Sequence, residues 1–135
     1  MTNVSKKLLD QTDQEKLSKQ LVDLFAAADK NKTKHIFNEL FTPAERIMFI
    51  KRLAVILLLE KKVSSYRIAQ TLKMSQTSVG NLLEQFQRGA FSSIVRTSQS
   101  KSFDSEGFWQ TIDVLLRAGM PPRGKDRWKF LDNHK

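Results

Sequence analysis

The side chains best suited to hydrogen-bonding chemistry in this chain are clustered in the run SQTSVGN at residues 75–81. Hydroxyl and amide groups both donate and accept hydrogen bonds, and an amide can make two bonds to the edge of an adenine. The polar or small members of the run are Ser75, Gln76, Thr77, Ser78, Gly80 and Asn81. The cations around it, which are suited to phosphate, are Lys61, Lys62, Arg67 and Lys73. Because residues 61–83 contain no acidic side chain, the segment predicts contact with bases and phosphates of a nucleic acid.

Two short helices around a tight turn, residues 64–86, are the elements that must position this polar run. The apolar residues that form one continuous seam around the small Ala69 are Ile68, Leu72, Met74, Val79 and Leu82. Ser75 is a favourable N-cap for the second helix, which leaves the first two turns of that helix polar. A helix pair with an apolar seam also occurs in ordinary helical proteins, and Lys73 stands where a turn glycine is frequent. The basic charge favours a helix-turn-helix that binds DNA.

Composition narrows the class of protein. The chain has 135 residues and a net charge of +9, from 23 Lys and Arg against 14 Asp and Glu. One domain with appendages is expected, and its partner is expected to be a polyanion, which is DNA, RNA or an anionic membrane surface. The absence of cysteine excludes a disulfide framework and a thiolate metal site. With no apolar leader, and a longest apolar run (residues 53–59) too short to cross a bilayer, a cytoplasmic, nucleoid-associated protein with no membrane contact is expected.

The first part of the chain predicts three helices. Residues 1–12 are expected to be disordered, and residues 13–86 to form a helical core. A helix from Asp13 presents Leu17, Leu21, Leu24, Phe25 and Ala28 on one face. The basic residues 30–34 are expected to break it, and a short helix follows over residues 34–41. Thr42, Pro43 and Glu45 form the pattern of a capping box with proline at the first helical position, so a long helix starts there and continues to Glu60.

The second half of that long helix, residues 53–59, is apolar on every side. Such a helix must be buried all round. We expect much of it to lie in the interface of a homodimer, because one small chain offers few neighbours. The alternative is a central helix enclosed by its own chain.

Residues 87–104 predict a basic, serine-rich linker, either lying along a phosphate backbone or forming a solvated loop in which Phe91, Ile94 and Val95 touch the body. Residues 105–135 predict a last helix and a tail. Asp104 or Ser105 should cap that helix, and its apolar face contains Phe108, Ile112, Leu115 and Leu116. Gly119 and the prolines after it should end it. The tail alternates cations with aromatic rings, which suits nucleic acid or a partner subunit.

No catalytic constellation is present in the sequence pattern. His35 and His134 stand alone, without a ligand at metal-binding spacing. Asp104, Glu106 and Asp113 are explained by capping and the helix dipole. With no glycine-rich phosphate loop and no predicted strands, we expect no enzyme activity, no cofactor and no metal.

Residues 19–86 resemble the Trp repressor superfamily. The stretches that carry the resemblance are QLVDLF, HIFNELF and TPAERIMFIKRLAVILLLE, followed by the helix-turn-helix. The resemblance implies an all-α, intertwined homodimer whose two recognition helices enter successive major grooves of DNA about 34 Å apart. It also implies that Gln76, Thr77 and Ser78 lie near bases, and that Tyr66 and Ser75 lie near phosphates.

The resemblance carries over the family's corepressor site only in part. Thr42 and Arg52 match the Thr and the Arg that the long helix of the family contributes to that site. The family's second Arg, which sandwiches the ligand's indole ring, is replaced by Asn81, and the Ser that binds its amino group is replaced by Gln85. Because asparagine cannot stack as a guanidinium does, tryptophan sensing is not carried across, and the corepressor is left unknown.

The sequence therefore predicts a homodimeric, sequence-specific double-stranded DNA-binding transcriptional regulator, a repressor in character. Gln76 and Asn81 are expected to read base edges, while Lys62, Arg67 and Lys73 bind phosphates. One alternative is the DNA-targeting module of a transposase or other mobile element, whose helix-turn-helix is similar. Another is an RNA-binding or protein-binding module that uses the tail at residues 120–135.

Overall fold

The computed structural model describes residues 9–118, and within this range it contains helices and no strands. The seven helices are α1 (Gln11–Ala27), α2 (Lys30–Leu40), α3 (Pro43–Glu60), α4 (Ser65–Leu72), α5 (Gln76–Gln87), α6 (Ser92–Ser98) and α7 (Ser105–Ala118). The predicted all-α class is confirmed. No helix of residues 9–118 is long and apolar enough to span a membrane. The predicted tail, and most of the predicted disordered N-terminus, lie outside the described residues.

The chain divides into two compact units, an N-terminal unit (Met1–Ile50) and a C-terminal unit (Lys51–Lys135). In the N-terminal unit, α1 begins at Gln11, two residues before the predicted start and inside the segment expected to be disordered. The predicted break at residues 30–34 is wrong, because these residues lie in α2. The carboxylate of Asp29 accepts a hydrogen bond from the backbone N–H of Lys32 at 2.8 Å, so the break falls one residue before the lysines.

The start of α3 is a capping box, as the sequence predicts. The Thr42 hydroxyl accepts the Glu45 backbone N–H at 3.2 Å, and a Glu45 carboxylate oxygen accepts the Thr42 backbone N–H at 2.9 Å. Arg46 then donates to the carbonyl oxygens of Asn38 at 2.8 Å and Phe41 at 2.6 Å. These bonds occupy carbonyl groups at the end of α2 that the helix itself leaves without partners.

The described part of the N-terminal unit contains no buried residue. Its large apolar side chains are instead exposed, and those on the predicted face of α1 are 39–53% exposed at Leu17, Leu21 and Leu24. At the start of α3, Ile47 and Ile50 are 53% and 59% exposed. The aromatic rings of Phe41 and Phe49 meet edge to face with centroids 4.9 Å apart. This unit therefore presents apolar faces that it does not cover itself.

The C-terminal unit has a core built around the second half of α3. Residues 54–59 are buried, with exposed fractions of 0–6%, while Leu53 is 37% exposed. The side chains of later elements that join the same core cluster are Val63, Ile68, Ala69, Leu72, Val79, Leu82, Phe91, Trp109, Ile112 and Leu116. The prediction that this apolar run lies in a subunit interface is therefore wrong for residues 54–59. A single chain encloses them, because side chains of α4, α5 and α7 join them in one core cluster.

The segment predicted as a linker contains a helix, α6, that the sequence pattern does not predict. Gly89 has φ +81°, a left-handed conformation that glycine adopts at low cost, and it precedes α6. Phe91 is 7% exposed, and Val95 packs against the core. Phe91 and Val95 therefore attach this segment to the core of the C-terminal unit.

The last helix, α7, is capped as predicted. The Asp104 carboxylate accepts the Gly107 backbone N–H at 2.9 Å. The buried face of α7 consists of Trp109, Ile112 and Leu116. Leu115, which was predicted on this face, is 40% exposed, and Trp109 takes part in its place.

Candidate nucleic-acid interface

The helix α4 packs against the core through one apolar face and is capped at its start. Ile68, Ala69 and Leu72 are buried on the inner side. The Ser64 hydroxyl accepts the Arg67 backbone N–H at 3.3 Å, which satisfies one N–H group at the helix start. Tyr66 and Lys62 are exposed, and the structure thus leaves both accessible to a partner.

The turn between α4 and α5 is left-handed at Lys73, which has φ 56° and ψ 54°. The Met74 backbone N–H bonds to the Ala69 carbonyl at 2.9 Å, closing the turn. A side chain in this conformation costs about 1 kcal/mol relative to glycine, so lysine at this position is less favourable for the backbone than glycine. The Lys73 side chain is exposed.

The helix α5 buries its seam and exposes its polar residues. Val79 and Leu82 are the buried residues of α5. The predicted polar residues that are exposed are Ser75, Gln76, Thr77, Ser78 and Asn81, and Gly80 is half-buried. A β-carbon added at Gly80 would meet nothing within 4 Å, so packing inside this chain does not require glycine there.

The hydroxyl of Ser75 is used within the helix start. It accepts the Ser78 backbone N–H at 3.0 Å and donates to the Ser78 hydroxyl at 2.9 Å. Ser75 is thus the predicted N-cap.

Two residues of this region were not predicted from the sequence. The Gln70 amide donates to the Tyr66 hydroxyl at 2.8 Å, and helical spacing of four residues on the outer face could have indicated this pair. The Lys51 ammonium donates to the carbonyl oxygen of Lys73 at 3.3 Å. No local pattern links Lys51 to the turn, since the two residues are 22 positions apart.

The residues matched to a corepressor site have partners within their own units. The Thr42 hydroxyl serves the capping box. The Arg52 guanidinium donates to the Gln85 side-chain oxygen at 3.4 Å and lies over the Phe91 ring, 5.7 Å from its centroid. Arg52 is thus already engaged by residues of the C-terminal unit. Among residues 9–118, no group of three or more His, Asp or Glu residues is placed to hold a metal ion.

Two helices joined by a left-handed turn, with the second one carrying an exposed polar surface, define a helix-turn-helix protein. The family model described as Trp repressor protein matches residues 15–96. The match covers more than half of the chain, and the chain belongs to the Trp repressor family, whose members are DNA-binding regulators. The resemblance seen in residues 19–86 is confirmed. A search of curated proteins and a search of solved structures found no match.

Proposed function

We propose that the protein is a sequence-specific, double-stranded DNA-binding transcriptional regulator that acts as a homodimer and does not respond to tryptophan. The observation that carries the proposal is the exposed polar surface on the first two turns of α5, set on a buried seam. A helix whose inner face is fixed to the core and whose outer face carries amide and hydroxyl groups is suited to the major groove. We call α5 the recognition helix from here on.

Each polar side chain has a proposed role. Gln76 reads a base edge, since its amide can both donate and accept, and Asn81 one turn later can do the same. Thr77 and Ser78 contact bases or phosphate, while Gly80 lets the helix approach closely. Lys62, Arg67 and Lys73 bind phosphates, with Tyr66 and Ser75 beside them. The absence of acidic side chains from residues 61–83 supports this assignment, because an acidic group there would repel the DNA backbone.

The support for a homodimer comes from the N-terminal unit rather than from residues 53–59. The described part of that unit buries none of its residues, and it exposes leucine and isoleucine side chains on α1 and at the start of α3. Exposed apolar faces of this kind are stabilised when a second copy covers them. A dimer would present two recognition helices about 34 Å apart, one helical turn of DNA.

The support for tryptophan independence comes from three side chains. Asn81 and Gln85 stand where the resemblance implies an Arg and a Ser that bind the corepressor. Arg52, which matches the remaining Arg, is engaged by Gln85 and Phe91. A ligand at this position would have to displace contacts that the chain already makes.

Selection of bound sites from random duplex DNA by the full chain tests the proposal. The expected result is one enriched motif with two-fold symmetry and half-sites centred about 10 base pairs apart. A matched selection with Gln76→Ala and Asn81→Ala together should lose the motif while some DNA binding persists. Recovery of no motif by the unaltered protein would contradict sequence-specific binding.

A further inference from the structure

Two adjacent cations on α3, Lys51 and Arg52, contact the turn before the recognition helix and the last turn of that helix. The Lys51 ammonium bonds to the carbonyl oxygen of Lys73, two residues before the N-cap Ser75. The Arg52 guanidinium bonds to the side chain of Gln85, in the last turn of the same helix. The two contacts, at 3.3 Å and 3.4 Å, therefore join α3 to the turn before the recognition helix and to the last turn of that helix.

The two cations lie next to the core. Residues 54–59, which follow Arg52 within α3 after Leu53, are at most 6% exposed. Lys73 is the left-handed residue of the turn, so its carbonyl belongs to the joint that sets the direction of the recognition helix. The hydrogen bond from the Lys51 ammonium to this carbonyl, at 3.3 Å, joins α3 to that turn.

We propose that Lys51 and Arg52 are positioning residues that hold the recognition helix at its DNA-reading angle without a small molecule. This inference rests on the proposed function, because the angle matters only if the helix reads DNA. Neither residue has to touch DNA. Their loss should reduce discrimination between DNA sequences more than it reduces binding to duplex DNA in general.

The DNA experiment measures the affinity of the full-length protein for its selected site and for a scrambled duplex. Lys51→Met keeps the aliphatic stem and removes the donor, and Lys51→Arg keeps a donor. With Met, affinity for the selected site should fall about 3- to 10-fold, the loss expected for one hydrogen bond, and affinity for the scrambled duplex should stay within about 2-fold. Lys51→Arg should restore most of the difference. Lys19→Met removes the same charge from an exposed position on α1 and serves as the control.

The salt dependence separates positioning from a phosphate contact. Loss of one phosphate contact lowers the slope of log affinity against log salt by about 1, and it weakens all duplexes alike. The slope with Lys51→Met should therefore equal that of the unaltered protein. A shallower slope with equal losses on both duplexes would overturn the proposal in favour of a direct phosphate contact.

Amide hydrogen exchange without DNA tests the effect of the Lys51 and Arg52 contacts separately from the proposed function. With Lys51→Met, or with Gln85→Leu for the second contact, the amides of Ser78 and Val79 should exchange about 5-fold faster, the effect expected when a hydrogen bond of ordinary strength is lost. The amides of Ile112 and Leu116 in α7 serve as an internal reference. Unchanged exchange at Ser78 and Val79 would overturn the proposal that Lys51 and Arg52 position the recognition helix, whatever DNA the protein binds. Faster exchange in a protein that selects no motif would contradict the proposed function alone.

Discussion

Ser75 and Ser78 are joined by two hydrogen bonds at the start of the recognition helix. The Ser75 hydroxyl accepts the Ser78 backbone N–H at 3.0 Å and donates to the Ser78 hydroxyl at 2.9 Å. This pair fixes the first turn of the helix at the place where Gln76 and Thr77 stand exposed. The direction of those two side chains therefore depends on this cap.

Replacing the cap separates helix stability from DNA contact. Ser75→Ala should lower the free energy of unfolding by about 1 kcal/mol, because a backbone N–H loses its acceptor. Ser75→Asp keeps an acceptor and should unfold at nearly the same urea concentration as the unaltered protein. The added negative charge should nevertheless weaken binding to every duplex. Urea unfolding and fluorescence anisotropy on both variants check this, and full DNA affinity in Ser75→Asp would show that the site faces no phosphate.

Gln76→Ala should relax sequence preference at one base pair. The expected loss is about 1 to 3 kcal/mol against the preferred base, since the substitution removes an amide that we propose makes two hydrogen bonds to that base. Anisotropy titrations with the selected site and its single-base variants measure this loss. Gln87→Ala, an exposed residue at the end of the same helix, is the control. An equal loss on all sequences would count against a base contact by Gln76.

Two substitutions of Lys73 distinguish the effect of its backbone conformation on stability from the effect of its charge on DNA affinity. Lys73→Gly should raise the free energy of unfolding by about 1 kcal/mol, because glycine adopts the left-handed conformation at φ 56° without a steric cost. The same change should weaken binding to all duplexes and lower the salt slope by about 1, because one cation is lost. Lys73→Ala should show the affinity loss without the gain in stability. Thermal unfolding and salt-dependent titrations measure the two effects, and undiminished affinity in both variants would exclude a phosphate contact.

Leu24→Glu should prevent formation of the proposed homodimer. Leu24 lies on the predicted apolar face of α1 and is 47% exposed in the single chain, so a charge there costs little unless a second copy covers it. Sedimentation equilibrium should give twice the chain mass for the unaltered protein and the chain mass for the variant, with helical content retained. Gln20→Glu adds the same charge on the polar face of α1 and should leave the dimer intact. A monomeric unaltered protein would remove the support that the N-terminal unit provides for dimerisation.

L-tryptophan should leave DNA binding and thermal unfolding unchanged. A ligand that binds only the folded state stabilises it by RT ln(1 + [L]/Kd), so millimolar tryptophan would reveal any micromolar site as a shift in the unfolding temperature. The physical reason for expecting no shift is that Arg52 already contacts Gln85 and Phe91. A shift in the unfolding temperature, or a rise in affinity for the selected DNA site, would contradict the proposal that the protein does not respond to tryptophan.

Much of the fold was predictable because helix starts are decided within four residues. Thr42 with Glu45, Ser75 with Ser78 and Asp104 with Gly107 are side-chain caps that bond three residues along the chain. The outer and inner faces of α5 follow from helical spacing in the same way. The cap at Asp29 and the helix α6 (Ser92–Ser98) were not predicted from the sequence. In α6 no polar cap marks the start, and Phe91 instead attaches it through burial in the core.

By itself, the sequence determined the helix-turn-helix, its polar outer surface and its family, because these depend on local hydrogen bonds and on the spacing of apolar residues. Only the tertiary structure decided that residues 54–59 are enclosed by their own chain, since their covering residues come from as far along as Leu116. It also decided that Lys51 and Arg52 meet Lys73 and Gln85, across 22 and 33 residues. Such contacts form only when distant elements pack together, and no local pattern encodes them.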